Sequence, residues 1–450
     1  MELENIHSVY FIGIGGIGMS ALARFFKERN VRVSGYDKTN TPLTDQLSKE
    51  GIDVHFEENI SLIDPTTDLV VYTPAIPANH KELIWYQQSG IEVVKRSDVL
   101  QVISQYMKSV CVAGTHGKTT ISTLISHILR HTGYGCNAFL GGISVNYGVN
   151  YWSSENRFAV IEADEYDRSF LKLQPYIGVV TAMDADHLDI YGTVEEMERC
   201  YLQFISQVSD TLVYKHGLKH SAQFKAPKKV SYSLQNEGAT YYAGDIRMSH
   251  GSYTFNIYKE GNNLGDIELN MGGMHNVENT VASLAICDLL EINFEKVQTA
   301  VAAFNGVKRR FEYIIKNDKI VYIDDYAHHP EELRMLISSA KTLFKGKKVS
   351  VVFQPHLFTR TRDFVNGFAE SLDLADEVIL LDIYPARELP IEDVTSKIIL
   401  DRMALNNKHI LTKESVLKWA EASQLEVLIT AGAGDIDTLI EPLTQILLNK

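Results

Sequence analysis

Short apolar stretches alternate with segments of helical periodicity along nearly the whole chain. This alternation of predicted strands and helices constrains the fold more than any other feature of the sequence. A strand followed by a helix, repeated many times, leads to a parallel sheet covered by helices. The predicted strands are short apolar runs, at residues 9–14, 31–36, 69–73, 93–95, 110–113, 158–162, 177–181, 320–323, 348–353, 377–381 and 426–429. The predicted helices have apolar residues at helical spacing, at 19–28, 118–131, 276–290 and 330–343. The sequence therefore predicts an α/β fold with parallel sheets.

The chain has 450 residues, which suggests about three domains at roughly 150 residues each. One boundary is expected near residue 106, because a second series of strands and helices begins shortly after it. A second is expected near residue 307, where an Asn-Gly pair precedes a basic triplet. We therefore predict a Rossmann-like domain at 1–106, a central P-loop domain with a parallel sheet at 107–307, and a Rossmann-like α/β domain at 308–450.

The composition excludes several classes of protein. The net charge of −14 argues against nucleic acid as the main partner, but it allows a small phosphorylated ligand held by a local cluster of donors. The four cysteines are scattered, which argues against a disulfide framework or a zinc ribbon. We see neither a secretory signal nor an apolar run long enough to span a membrane. The expectation is a cytoplasmic protein with no membrane partner and no obligate protein partner.

The strongest local signal is a glycine-containing turn between a strand and a helix. It consists of Gly114, Thr115, His116, Gly117, Lys118, Thr119 and Thr120. Glycines let backbone N–H groups surround a phosphate, and the helix N-terminus adds partial positive charge. Lys118 is then expected at the terminal phosphates of ATP and Thr119 at Mg²⁺. The alternative, an ordinary turn rich in small residues, accounts less well for the Gly-Lys-Thr-Thr run.

A second glycine-rich loop lies near the N-terminus, after the first predicted strand. Its glycines are Gly13, Gly15, Gly16 and Gly18, and they fit the pattern G-x-G-x-x-G. Asp37 follows at the end of the next strand, where a ribose-binding acid is expected. The loop alone is typical of a dinucleotide-dependent oxidoreductase, although the same backbone can hold the diphosphate of a UDP-sugar. Two phosphate loops in one chain suggest two phosphorylated ligands.

Two acidic clusters follow strands of the central third. The first contains Glu162, Asp164, Glu165 and Asp167, and the second contains Asp184, Asp186, His187 and Asp189. Parallel strands open their ligand crevice at their carboxyl ends, so both clusters are expected beside the Lys118 loop. Carboxylate oxygens suit Mg²⁺ bridging phosphates. Each cluster by itself could be a solvated turn, but together they indicate a cation site.

The last third carries cations and histidines at strand ends. Arg310 could clamp a phosphoryl group, whereas Lys308 and Arg309 are interpreted as a basic linker. Residues 324–330, Asp-Asp-Tyr-Ala-His-His-Pro, end a strand and begin a helix. Residues 354–362 follow another strand, where a carboxylate-binding role and a plain surface charge remain equally open.

In this order, these motifs resemble the Mur ligases of peptidoglycan synthesis, from about residue 9 to residue 434. The resemblance implies three α/β domains that bind a UDP-sugar, ATP and an amino acid. It also implies an ATP- and Mg²⁺-dependent reaction that adds L-alanine to UDP-N-acetylmuramate through an acyl-phosphate intermediate. An oxidoreductase, a P-loop binding or motor protein, and a Mur-type ligase with another substrate remain as alternatives. Alanine, serine and glycine differ by only ~1–3 kcal/mol in an apolar pocket, so the sequence leaves the amino acid open.

The resemblance also implies roles for individual residues. It places Lys118, His187, Arg310 and Asp325 in catalysis, with Thr119, Glu162 and His187 as Mg²⁺ ligands. Residues implied at ATP, besides the loop, are Asn276, Asn279, Arg310 and Asp325. Residues implied at the UDP-sugar are Gly13, Gly15, Gly16, Gly18, Asp37, Gly141 and Gly142. His328 and Arg360 are implied at the amino acid.

The sequence departs from the family pattern at two places. Leu357 follows Gln-Pro-His where comparable ligases often carry arginine. The carbamylated lysine that several relatives use after the magnesium histidine has no counterpart, because no lysine lies between His187 and Lys215.

Overall fold

The computed structural model describes residues 2–386 and 388–450; the side chain of Asp189 lies outside the description. The chain divides into two compact units. The first comprises Met1–Gly244, Ile257–Gly265 and Glu278–Val301, and the second comprises Asp245–Asn256, Asp266–Val277 and Ala302–Lys450. Within the described residues, the strands form three sheets.

The first sheet is entirely parallel and has the strand order β3-β2-β1-β4-β5. Its strands are β1 (Ser8–Ile12), β2 (Arg32–Tyr36), β3 (Asp53–His55), β4 (Leu69–Tyr72) and β5 (Glu92–Lys95). Its helices are α1 (Ile17–Lys27), α2 (Pro42–Lys49), α3 (Lys81–Ser89) and α4 (Arg96–Tyr106). The strand order reverses beside β1, so a ligand crevice is expected where the chain leaves that strand.

The second sheet has the order β15-β14-β13-β12-β11-β10-β6-β9-β7-β8. Its strands are β6 (Lys108–Ala113), β7 (Asn137–Phe139), β8 (Tyr151–Trp152), β9 (Phe158–Glu162), β10 (Ile177–Val180), β11 (Thr211–Lys215), β12 (Lys228–Ser233), β13 (Tyr241–Ser249), β14 (Ser252–Lys259) and β15 (Asn262–Leu269). The associated helices are α5 (Lys118–His131), α6 (Leu188–Tyr191), α7 (Val194–Ser206), α8 (Met274–Leu289) and α9 (Phe294–Ala302). Strand β6 lies parallel to both β9 and β10, so the ends of these three strands meet at one edge.

The third sheet has the order β16-β17-β21-β18-β19-β20 and is parallel except for the β16–β17 pair. Its strands are β16 (Glu312–Lys316), β17 (Val321–Asp325), β18 (Val349–Phe353), β19 (Glu377–Leu380), β20 (Lys408–Ile410) and β21 (Val427–Ala431). Its helices are α10 (Pro330–Leu343), α11 (Phe358–Asp363), α12 (Val365–Leu372), α13 (Lys397–Leu400), α14 (Lys413–Ala422) and α15 (Ile440–Leu448). Short 3₁₀ helices lie at Leu3–Asn5, Ile60–Leu62, Tyr166–Lys172, Ser221–Gln223 and Asp435–Leu439.

A buried arginine ties the first sheet's helix α1 to the loop before β8. The Arg24 guanidinium donates two hydrogen bonds to the Glu50 carboxylate, at 2.8 and 2.9 Å, and a third to the side-chain oxygen of Asn150. The Asn150 amide donates in turn to the Ile17 carbonyl at 2.5 Å. Because bidentate guanidinium–carboxylate pairs fix geometry as well as charge, this network holds the start of α1 in place.

The predicted fold class is confirmed, and most predicted strands and helices are present within a few residues of the expected bounds. Helices α5 and α10 begin and end where the sequence indicated. The sequence prediction missed β13, β14 and β15, where buried and more exposed residues alternate in β14. It also gave no strand at β3, β7, β8, β11, β12, β16 or β20. The domain bounds at 106 and 307 remain a prediction. Among the described residues, no helix combines the length and the apolar character that a membrane crossing needs.

Candidate functional site

The loop between β6 and α5 has the backbone of a phosphate-binding turn. Gly114 and Gly117 have positive φ angles, of 132° and 79°, which favour glycine. A Cβ on Gly114 would lie 2.0 Å from the Thr181 hydroxyl, so no side chain fits there. Helix α5 begins at Lys118 without a side-chain cap. Its first-turn N–H groups are therefore suited to bind an anion.

Lys118 is held at this loop by two partners. Its ammonium donates to the Gly114 carbonyl at 2.8 Å and to the Glu165 carboxylate at 2.7 Å. The Lys118 side chain is 15% exposed and that of Glu165 only 1%. Burial raises the pKa of Glu165 above its usual value, although the Lys118 ammonium opposes the shift. The sequence placed Glu165 among possible cation ligands but did not pair it with Lys118.

Two of the predicted magnesium ligands lie together beside the loop. The Thr119 hydroxyl donates to the Glu162 carboxylate at 3.0 Å. The Gly141 N–H donates to the other oxygen of that carboxylate at 3.1 Å. A hydroxyl and a carboxylate offer the hard oxygen atoms that Mg²⁺ prefers, so these residues fit the ion. Gly141 and Gly142 follow β7 in a bend, and Gly141 contacts a predicted metal ligand; the role of both glycines at the UDP-sugar remains a prediction.

The third predicted magnesium ligand, His187, belongs to a different group. One ligand atom each from Glu165, Asp186 and His187 lie within 4.8 Å of one another. Within the part of the chain that the structure describes, no other group of three such residues meets this geometry. His187 precedes α6 with a φ of 51°, in the left-handed region. Asp189, predicted in the same cluster, has a side chain outside the described residues.

Other residues of the predicted nucleotide loop contact the segment after β10 and helix α8. His116 Nε2 lies 3.3 Å from the Asp184 carboxylate, and both side chains are exposed. The Thr115 hydroxyl accepts from the Asp184 N–H at 3.3 Å, and Thr120 is buried in α5. A Cβ on Gly117 would lie 2.6 Å from the Asn279 amide oxygen, so Asn279 packs against the loop, and its role at the nucleotide remains a prediction.

Asn276 and Asn279 both lie on α8, but the division between the two units falls between them. In the second unit, the Asn276 side chain donates to the Gly272 carbonyl at 2.7 Å. The role of Asn276 at the adenine nucleotide remains a prediction.

The N-terminal glycine loop leaves β1 and leads into α1. The Asp37 carboxylate accepts a hydrogen bond from the Gly15 N–H at 2.8 Å, so this acid lies against the loop. A Cβ on Gly18 would lie 2.2 Å from a guanidinium nitrogen of Arg96. Arg96 also approaches the Asp164 carboxylate at 3.4 Å. A cation beside a glycine loop suits a diphosphate, and sequence reasoning missed Arg96 because it lies far away along the chain.

In the second unit, Asp325 ends β17 and accepts two backbone hydrogen bonds. The donors are the N–H groups of Phe311 at 2.6 Å and Ala327 at 2.7 Å. Burial raises the pKa of Asp325 to about 6, although these hydrogen bonds and the charge of Arg310 oppose the shift. The Arg310 guanidinium lies 5.9 Å from the centre of the Tyr326 ring. Arg310 and Asp325, two of the three predicted ATP-binding residues of this unit, are therefore close neighbours.

The interpretation of Arg309 as a simple linker cation is wrong. Its guanidinium lies 3.4 Å from the fully buried Asp324 carboxylate and donates to the Gly432 carbonyl. Burial raises the pKa of Asp324 to about 7, against the lowering effect of Arg309. Arg309 therefore stabilises the junction between β17 and β21.

The two residues predicted at the amino acid lie around His356. The Arg360 guanidinium is 3.4 Å from His356 Nδ1, and the His328 and His356 rings are 6.2 Å apart. Burial lowers the pKa of His328, and lowers that of His356 to about 4, with Arg360 adding to both shifts. Both imidazoles are therefore neutral near pH 7, next to a fixed cation. Leu357 precedes α11 with a φ of 71°, a strained conformation for leucine.

Known protein families match successive parts of the chain. These are the Mur ligase family catalytic domain at residues 8–107, the Mur ligase middle domain at 112–287, and the Mur ligase glutamate ligase domain at 309–436. A UDP-N-acetylmuramate–L-alanine ligase of Parabacteroides distasonis is 47% identical, over 99% of this chain and 98% of the relative. The enzyme with the same name from Flavobacterium johnsoniae is 46% identical, over 99% of both chains.

Solved structures show the same architecture. The UDP-N-acetylmuramate-alanine ligase of Thermotoga maritima is 27% identical with a TM-score of 0.85, over 98% of this chain and 99% of that one. A murein peptide ligase of Psychrobacter arcticus shares the fold, with a TM-score of 0.69 at 20% identity over 99% of both chains. The three sheets, the phosphate loop and these matches define the protein as a ligase. The chain belongs to the Mur ligase family.

Proposed function

We propose that the protein joins L-alanine to UDP-N-acetylmuramate, with ATP and Mg²⁺, in the synthesis of peptidoglycan precursors. The names of the relatives support this substrate pair. The observation that carries the proposal is the arrangement at the ends of β6 and β9. There, an uncapped helix start, the Lys118 ammonium and the Thr119–Glu162 pair lie together. This arrangement fits a nucleotide triphosphate with its metal.

The first step transfers the γ-phosphoryl group of ATP to the lactyl carboxylate of the sugar nucleotide, giving an acyl phosphate and ADP. Both reactants are anions and repel each other. Lys118 and the N–H groups of the loop offset this repulsion by binding the phosphate oxygens. Thr119, Glu162 and His187 are the residues proposed to hold Mg²⁺, which neutralises charge on the triphosphate when bound. From the second unit, Arg310 and Asp325 are proposed at ATP.

In the second step, the α-amine of L-alanine attacks the acyl carbon, the amide forms and phosphate leaves. The amine must first lose a proton. His328 is a candidate for this role, because its lowered pKa keeps it neutral and able to accept a proton, and His187 is a second candidate if Thr119 and Glu162 hold Mg²⁺ without it. The Arg360 guanidinium suits the carboxylate of the amino acid. The glycines at 13, 15, 16 and 18 suit the diphosphate of the sugar nucleotide.

The test is phosphate release from ATP with UDP-N-acetylmuramate and each of the twenty amino acids in turn. We expect release only when ATP, the sugar nucleotide and an amino acid are all present, and fastest with L-alanine. Lys118→Ala should abolish release. Phosphate release that needs no sugar nucleotide, or a Lys118→Ala protein that makes ADP at the normal rate, would contradict the proposal.

One further feature agrees with this function. All four cysteines are buried and free, as in a reducing compartment, and we infer a cytoplasmic location where the nucleotide substrates are made. The nicotinamide-dependent alternative predicts bound nicotinamide at the N-terminal loop. Incubation with NADH and a search for bound nicotinamide test that alternative directly.

A further inference from the structure

The Lys118 ammonium has a defined number of free hydrogen-bond donors. An ammonium carries three N–H groups. Two of them are directed at the Gly114 carbonyl and the Glu165 carboxylate, at 2.8 and 2.7 Å. The third is then left for a phosphate oxygen. Glu165 thus limits the directions in which Lys118 can donate.

Glu165 is held more firmly than a surface carboxylate. Its side chain is 1% exposed, and its second oxygen, Oε2, is buried without a hydrogen-bond partner among the described atoms. Its backbone carbonyl accepts from the Tyr191 hydroxyl at 2.6 Å. A buried carboxylate is strongly destabilising unless a cation pairs with it, so Glu165 and Lys118 are expected to stay together.

We propose that Glu165 is a positioning residue for Lys118, and that it improves phosphoryl transfer at the expense of nucleotide affinity. Its fixed oxygen orients the ammonium, so the remaining N–H group meets the transferring phosphoryl group. Its negative charge also lies near the triphosphate and weakens binding of the ground state. This inference rests on the proposed function and adds a residue to the same site.

Two substitutions separate the orienting effect from the charge. Glu165→Gln keeps the shape and removes the charge, so a non-hydrolysable ATP analogue with Mg²⁺ should bind about three- to tenfold more tightly. The same variant should have a kcat about tenfold lower, because the neutral hydrogen bond holds Lys118 less strongly. Glu165→Asp keeps the negative charge but shortens the side chain by one methylene group, so the carboxylate lies farther from Lys118. Its kcat should fall about tenfold or more, with nucleotide affinity within about twofold of the parent.

The matched control is Glu198→Gln. Glu198 is also a buried carboxylate, paired with Lys219 at 2.7 Å and His220 at 2.9 Å, but it lies outside the site. It should change neither nucleotide affinity nor kcat by more than about twofold. A purely structural role for Glu165 would instead lower affinity and kcat together.

Calorimetric titration of the full chain with the analogue measures affinity, and steady-state phosphate release measures kcat. Weaker or unchanged nucleotide binding in Glu165→Gln would overturn the proposal. If that variant fails to fold, Glu165→Asp decides, because a normal kcat there excludes positioning. The binding measurement needs no sugar nucleotide or amino acid, so its outcome is independent of whether the proposed reaction is correct.

Discussion

A methyl group added at Gly141 would test the Thr119–Glu162 pair without substituting either residue. A Cβ built on Gly141 lies 2.4 to 2.5 Å from the carboxylate atoms of Glu162. Ordinary contacts are about 1 Å longer, so the carboxylate must move by roughly that distance. Gly141 is not among the glycines with positive φ, so its backbone accepts alanine. The Gly141→Ala variant should therefore fold, with the Glu162 carboxylate displaced from its position beside Thr119.

The expected cost to catalysis follows from that displacement. A misplacement of about 1 Å in a catalytic group lowers the rate about 100-fold, or roughly 2.7 kcal/mol of transition-state stabilisation. Alanine reduces the freedom of the unfolded chain and favours folding by about 0.4–1 kcal/mol, whereas the loss of the hydrogen bonds that Glu162 accepts from Thr119 and Gly141 opposes this, so the net change in stability should be small. The assay is phosphate release as a function of Mg²⁺ concentration, together with urea unfolding. The Mg²⁺ concentration needed for half-maximal rate should rise.

The control for this experiment is Gly238→Ala. Gly238 is exposed, and a Cβ there would lie 3.1 Å from the end of the Asn236 side chain and at ordinary contact distance, 3.7 Å, from the His216 ring. This variant should keep the activity and Mg²⁺ requirement of the parent. Full activity of Gly141→Ala with an unchanged Mg²⁺ requirement would refute the assignment of Glu162 to the metal.

Three further predictions concern buried charges. If Asp325 acts as a carboxylate, activity should fall as the pH drops through about 6, and the pH profile of Asp325→Asn should lack this limb. The pKa of Asp324 is about 7 in the folded protein and 3.8 in the unfolded chain, so protonation of this carboxyl group stabilises the fold at low pH. This contribution to the free energy of unfolding is lost as the pH rises through about 7. Between pH 5 and pH 8, the free energy of unfolding of the parent should therefore fall by about 2 to 3 kcal/mol relative to that of Asp324→Asn, both measured by urea unfolding. Arg24→Ala should cost about 2 to 4 kcal/mol by the same measurement, since it leaves a partner carboxylate unpaired, whereas Lys228→Ala at an exposed pair should cost under about 0.5 kcal/mol.

Much of the fold could be predicted because its signals are local. Helix α5 was located by a glycine turn and by apolar spacing, both of which depend on neighbouring residues. The grouping of Thr119 and Glu162 also followed from sequence, because parallel strands bring their carboxyl ends to one edge. The strands β13–β15 were missed, since alternation in a partly exposed sheet is a weaker signal than a continuous apolar run.

The partners of individual charges could not be predicted in the same way. Lys118 and Glu165 are 47 residues apart, and Arg309 and Gly432 are 123 residues apart. Local sequence carries no information on which acid meets which base across such separations. For this reason the sequence predicts a linker cation at Arg309, although the residue is partly buried against the fully buried Asp324. Arg96 was overlooked for the same reason, because only the folded chain brings it to Gly18.

The glycines of the site show how one residue type can be required for different physical reasons. Gly114 and Gly117 each need a positive φ, and each also needs space for a neighbouring side chain, that of Thr181 and that of Asn279 respectively. Gly141 has an ordinary backbone, and only the approach of Glu162 excludes a side chain. Motif reasoning explains the first two, because a phosphate loop demands that backbone. The third glycine is explained only by a carboxylate 21 residues away, so its substitution reports on the metal site rather than on the turn.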